Sequence, residues 1–397
     1  MLSTPPHRKT SIRYVLALIA LRKPARAIFN QGTIQIMMRG TNAVIASPEI
    51  SWDIGSAYDL FISLWVIHRP DNFGLRPSWA AGVRSRLPLP LREVMEESQK
   101  FLYIPLNWIH NLPDPKNAQT VLDSLKALSP EDRLPSLTIN GSENPETNAF
   151  YEFLISLEVK QRLTAQIEQR IMDYHTSIRS RGLPKGLAQA VFSAWSDRKS
   201  FGENYYNALD TYVQNFFLEE ETRITPALEQ SLAEAQALSN EQDFLSLIEK
   251  LSAGVRIDWS SDADRVILAP SFWAAPLIFL DSQHALPRII VYGKRPIGTS
   301  LVPGEQVPEE LLNGLKAMAD PTRLRILKFL IQESWTPSEL AKALRLRPPT
   351  VIHHLNILRL AGFVLVTISA NAERRYAART DGILDTARHI HSFLLEN

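Results

Sequence analysis

Residues 320–363 read DPTRLRILKFLIQESWTPSELAKALRLRPPTVIHHLNILRLAGF, and their caps and helix breakers decide the fold of the C-terminal quarter. Asp320 before Pro321 starts a helix: the carboxylate accepts from first-turn N–H groups, and proline is tolerated where none is needed. The core face of that helix is read as Leu324, Ile326, Leu327, Leu330 and Ile331. Thr336-Pro337-Ser338-Glu339 opens a short helix over 337–344, with Thr336 and Glu339 forming a capping box. Arg345-Leu346-Arg347 makes the turn. Pro348-Pro349 then starts a helix over 349–361, which Gly362 ends. Working outward, Leu311, Leu312, Leu315 and Met318 stripe a preceding helix. Phe363–Ile368 and Arg374–Ala377 flank a polar tip as a hairpin, and 381–395 form a closing amphipathic helix.

Helix, short helix, tight turn, helix and hairpin make a winged helix-turn-helix, whose second helix of the pair can enter a major groove. Arg345, Arg347 and Arg359 flank that helix, and Arg374 and Arg375 lie on the wing's return strand, toward phosphates or a minor groove. Thr350, His353 and Asn356 supply donor-capable side chains for bases or phosphates, whereas Val351, Leu355 and Leu358 pack inward. Charge placement agrees. The 397 residues carry a formal charge of +1, yet 316–379 is +7 and 49–308 is −9. A polyanion is attracted to the first and repelled by the second.

The same residues resemble a known family. LKAMADPTRLRILKFL, SELAKALRLRPPTVIHHLNILRLAGFV and RRYAA are similar to the ArsR family of bacterial winged-helix repressors over about 311–379. The resemblance implies a homodimer on pseudo-palindromic double-stranded operator DNA, paired through helices near 309–319 and 381–395, and released by an inducer. Two departures stand out. Pro348, Pro349 and Ile352 occupy places where members often have small hydroxyl residues, which shifts base reading toward His353 and the arginines. Trp335–Leu340 holds no cysteine where metal-sensing members place them. Residues 47–296 resemble the N-terminal domain of certain large ArsR-like regulators through SPEISWDIGSAYDLFISL, RPDNFGLRPSWAAGVRSRLP and RVILAPSFWAAPLIFL.

The expected fold class is α+β, mostly helical, with a large helical N-terminal body and a small antiparallel sheet ahead of the winged helix. Helices are predicted over 57–68, 91–102, 117–128, 145–181, 186–196, 203–237 (with a kink near Pro226) and 243–251, and 130–145 reads as a polar loop. Short β-branched runs between 254 and 292 supply the strands, and 297–308 is a Pro/Gly-rich linker to the reader at 309–397. Residues 1–46 form a basic extension, expected to be poorly ordered. They read as a basic arm or as translated upstream sequence before a start at Met37 or Met38, ahead of an export signal.

Zero cysteine excludes disulfides, thiolate zinc sites and cysteine nucleophiles. GxGxxG and GxxxxGK[ST] are both missing, which argues against a phosphate-cradling loop. Asp385 and His389 share a helix face but lack a tetrahedral ligand set, and a solvated face explains them. Ser196-Asp197-Arg198-Lys199 matches SxxK without companion motifs. Trp195, Tyr205, Tyr206, Phe216, Phe217, Trp259 and Trp273 line an apolar ligand pocket or form plain core. The reading is a cytoplasmic, dimeric transcription regulator with no catalytic residues, metal or cofactor and no membrane association, its body sensing an unknown small-molecule effector. The alternatives are an enzyme with an appended regulatory winged helix and a protein–protein interaction module.

Overall fold

A computed structural model describes residues 48–139, 144–178, 183–257, 265–280, 288–296, 299–304, 307–368 and 374–395. The basic extension, Trp259 and the tip of the wing lie outside these residues. The body begins with strand β1 (Glu49–Trp52). Helices follow: α1 (Ser56–Ile67), α2 (Pro77–Arg84), α3 (Leu89–Ser98), α4 (Leu106–His110), α5 (Ala118–Ala127), α6 (Pro130–Thr138), α7 (Pro145–Ile155), α8 (Ala165–Ile178) and α9 (Leu187–Ser196). Then come α10 (Arg198–Tyr212), a π-helical turn at Val213–Phe217, α11 (Leu218–Ser239) and α12 (Phe244–Leu251). Strands β2 (Val255–Ile257), β3 (Arg265–Ser271), β4 (Ile278–Leu280) and β5 (Arg288–Gly293) complete it. The reader comprises α13 (Glu309–Met318), α14 (Pro321–Gln332), α15 (Pro337–Leu344), α16 (Pro348–Leu360), β6 (Val364–Ile368), β7 (Arg374–Ala378) and α17 (Thr380–Leu395).

The fold is mostly helical with small sheets, as expected, but the body sheet is not antiparallel. Its order is β1-β3-β5-β4, with β1–β3 and β3–β5 parallel and only β4–β5 antiparallel. Sequence patterning missed β1, because a parallel partner lies across a long crossover and leaves no turn signal beside the strand. Both faces of the sheet are covered. Ile267, Ala269, Ile289 and Val291 join the main helical core, while Val266, Leu268, Ile290 and Tyr292 pack with Phe244, Leu247 and Ile248 of α12.

Two helical expectations change. The stretch read as a loop at 130–145 holds α6, held in place by Arg133, which donates to the carbonyls of Leu125 and Gly202. The single long helix read over 145–181 divides into α7 and α8. Trp195, Tyr205, Phe216, Phe217 and Trp273 are buried core. Trp273 packs on Trp79 and Phe216 within that core.

Two buried carboxylates stand near the C-terminal ends of the parallel strands. Asp53, just after β1, accepts from Lys116 at 2.6 Å, from the Tyr58 hydroxyl at 2.8 Å, and faces His110 Nδ1 at 2.7 Å. Although burial opposes ionisation, these donors and the Lys116 charge hold its carboxyl below the usual range. Asp59 in α1 accepts from Ser271 Oγ at 2.6 Å and from the Trp273 and Phe272 amides at 2.7 and 3.3 Å. Full burial nevertheless pushes its carboxyl up to about 7.

Body and reader are joined by packed structure. Strand β2, from the body, pairs in parallel with β6 to make a three-stranded sheet, β2-β6-β7, with Val255 opposite Val366. Gly254 precedes β2 at φ 111°, and a Cβ there would meet Leu365 Cδ2 at 3.0 Å, so only glycine suits the crossing. Arg295 and Glu309 form a buried ion pair at 3.2 Å. Ser300 Oγ (2.6 Å) and the Leu301 amide (2.9 Å) also donate to Glu309, which opens α13. Leu301, in the stretch expected to be a linker, is fully buried.

Candidate nucleic-acid interface

Local rules build the reader. Asp320 Oδ1 accepts the Arg323 amide at 2.9 Å, capping α14 as expected. Thr336 and Glu339 exchange the capping-box bonds at 3.2 and 2.7 Å. Arg345 ends α15 in the left-handed region, at φ 58° and ψ 41°. This conformation is costly for a side chain bearing Cβ, and it swings the chain tightly into α16. Gly362 follows α16 at φ 71°, matching its reading as a terminator.

Only part of the expected inner face is buried. In α14, Ile326, Leu327 and Leu330 are in the core, but Leu324 and Ile331 are 49% and 59% exposed, which corrects their assignment. Leucine periodicity alone cannot separate a core stripe from its neighbouring row. In α16, Val351, Leu355 and Leu358 are buried with Phe363 and Tyr376. That anchoring turns the opposite face outward.

Arg345, Arg347, Thr350 and His353 are exposed, so the N-terminal half of α16 and the turn before it form an open tip. Thr350, His353 and Asn356 recur every three residues and share one face. Asn356 and Arg359 are half-buried toward the far end of the helix, where Leu360 packs against the body core. Pro348 and Pro349 occupy the first two positions of α16 and have no N–H, while the Thr350 amide bonds the Arg347 carbonyl at 3.0 Å. The usual anion-binding amides of a helix N-terminus are thus largely removed. Anion contacts at this tip must come from side chains.

The wing arginines differ from one another. Arg374 is half-buried at the start of β7. Arg375 donates to the Ser334 carbonyl at 2.7 Å and lies 3.5 Å from Glu339, so it ties the wing to the start of α15. Sequence reasoning did not single out Lys342, Arg325 or Lys328, which are exposed on α15 and α14. Their signal was the local surplus of positive charge. His354 is half-buried, and burial lowers its pKa. Among the described residues no cluster of His, Asp and Glu could hold a metal ion, and Asp385 pairs with Arg388 at 2.9 Å. No helix among them is long and apolar enough to cross a membrane.

Comparison with known proteins bears on this region. Residues 320–365 match the bacterial regulatory protein arsR family. An uncharacterized HTH-type transcriptional regulator of Methanocaldococcus jannaschii is 48% identical over 50 residues, and the transcriptional repressor SdpR of Bacillus subtilis is 41% identical over 49. Each match covers 12% of this chain and spans 56% and 54% of the respective relative, about half its length. Two crystal structures are similar at 28% identity: an ArsR family transcriptional regulator (23% of this chain, 89% of that chain, TM-score 0.20) and NolR from Sinorhizobium fredii (24%, 96%, 0.19). The capping box, the turn at Arg345, the anchored α16 and the sequence match converge: residues 320–365 form a helix-turn-helix domain of the arsR family.

Proposed function

We propose that the protein is a DNA-binding transcription regulator that reads double-stranded operator DNA with α16 and braces it with the β6–β7 wing. The observation that carries this reading is the open tip: Arg345, Arg347, Thr350 and His353 exposed on a helix-turn-helix whose other face is locked by Val351, Leu355 and Leu358. Arginines supply sequence-independent attraction to phosphates, and Thr350, His353 and Asn356 supply base preference. Arg359 and Arg374 contribute beside α16 and along the wing, and Arg375 also ties the wing to the start of α15.

The working form is a homodimer. Leu315 of α13 and Leu384, Phe393, Leu394 and Leu395 of α17 are exposed apolar residues on two helices that pack together where Gly314 meets Thr386. Pairing of these helices buries that surface and sets two copies of α16 against two half-sites. The body, roughly 47–296, senses an effector, and its packed junction with the reader passes the signal on. Repression is the proposed sign of regulation, as for the named repressor among the relatives. The compartment is the cytoplasm, where DNA is available.

An electrophoretic mobility shift of the full chain on duplex from upstream of its own coding region tests this reading. A retarded, sequence-dependent complex is expected, and His353→Ala should narrow the preference over unrelated duplex by about 1–3 kcal/mol. Failure to retard any duplex at about 0.1 M salt would overturn it.

A further inference from the structure

A cleft of about 320 Å³ opens on the body, lined by His68 and Arg69 beyond α1, Arg84 at the end of α2, and Glu96, Gln99 and Lys100 in or just after α3. Three cations line it against Glu96 and the neighbouring Glu97, an excess of one positive charge, although 49–308 as a whole is −9. Protein contacts hold each cation in place. The Arg69 guanidinium lies 3.4 Å over the Trp65 ring and donates to Gln99 Oε1 at 3.1 Å and to the Gln99 carbonyl at 2.6 Å. Arg84 donates to the Ile67 carbonyl and lies 4.0 Å from Glu96, and Lys100 pairs with Glu97. Side chains of Arg84 and Lys100 are 24% and 28% exposed, so their fields are less screened than those of fully solvated cations.

His68 completes the wall. Its Nδ1 donates to the Leu64 carbonyl at 2.7 Å, which leaves Nε2 as an acceptor, buried and without a partner among the described residues. Burial, with Arg84 and Arg69 nearby, holds the ring down to about 4, so it stays neutral.

We propose that this cleft binds a small molecule through an oxyanion group, a carboxylate or a phosphate, and that the bound molecule is the effector. The volume suits a small metabolite, and preset cations suit an oxyanion. The route to the reader is short. Arg69 leads into the Pro70–Asn72 turn and Phe73, whose ring stacks on Phe279. Gly74 follows, so close to α13 that a Cβ there would stand 2.7 Å from Asn313 Nδ2. A ligand that draws on Arg69 therefore pulls on the segment touching the first helix of the reader. The effector role rests on the regulator reading; binding does not.

Isothermal titration of the full chain in chloride buffer, with inorganic phosphate in one arm and succinate in the other, is the test. Saturable binding of at least one probe is expected, with a Kd of roughly 1 mM or tighter. Arg84→Met combined with Lys100→Met should weaken it at least about tenfold, and Lys100→Met alone, which keeps the Arg84–Ile67 bond, should still weaken it severalfold. Arg347→Ala should leave it unchanged. Ligand-induced fluorescence change should vanish in Trp65→Phe, because Arg69 covers that ring. Binding of neither probe, an affinity unchanged by Lys100→Met, or binding that is lost with Arg347→Ala would overturn the site. Intact binding with no change in duplex affinity would overturn the effector role alone, and a chain that bound no duplex would leave the titration valid.

Discussion

In the body, two carboxylates are turned inward and held by groups from other parts of the chain: Asp53 by Lys116, Tyr58 and His110, and Asp59 by the turn after β3. In the reader, Arg345, Arg347 and His353 stand in solvent. A buried charge must be paired, because its desolvation is repaid only by good geometry; an exposed cation contributes little to folding and stays available to phosphate. The contrast separates buried pairs that preserve shape from exposed cations that, in the proposed function, meet DNA. Arg295 and Glu309 lie where the two regions meet and behave like the body: buried, paired and directed at α13.

That contrast can be broken by substitution. The largest effect is expected for Asp53→Ala, which strands the buried Lys116 ammonium and should cost about 3–5 kcal/mol in denaturant unfolding, while the protein that remains folded still binds duplex normally. Next comes Arg295→Met. It leaves Glu309 with its hydroxyl and amide donors but no cation, and a loss of about 2–3 kcal/mol is expected, accompanied by altered duplex affinity because α13 is seated there. Arg347→Ala should do the reverse, shifting stability by less than about 0.5 kcal/mol and weakening every duplex about tenfold in fluorescence anisotropy. Smallest is Arg345→Gly. It relieves the left-handed backbone and should raise stability by about 0.5–1 kcal/mol while duplex affinity falls. A stability loss in that variant would mean that the Arg345 side chain has a structural partner the account does not include.

The two regions also differed in how far they could be read from sequence. The reader's elements are bounded by local chemistry: the Asp320 cap, the Thr336–Glu339 box, Pro337 and Pro348 at first turns, and Gly362 at φ 71°. The short helix predicted over 337–344 matches the observed one, and α16 agrees within one residue at each end. Long-range pairing was not legible. β1 meets β3 across more than two hundred residues, β2 leaves the body to join the wing, and Arg375 reaches Ser334 only once the hairpin has formed. The exposed rows at Leu324 and Ile331, and the cation cleft whose residues gather at the C-terminal ends of three separate helices, are likewise products of packing.

The central claim is that phosphate attraction at an open helix-turn-helix tip drives binding, with the body outside the contact. Fluorescence anisotropy on a single duplex at graded salt, comparing the full chain with Arg345→Ala/Arg347→Ala, tests it most directly. The slope of log affinity against log salt is expected to become shallower by about two units in the variant. An identical slope in both proteins would contradict it.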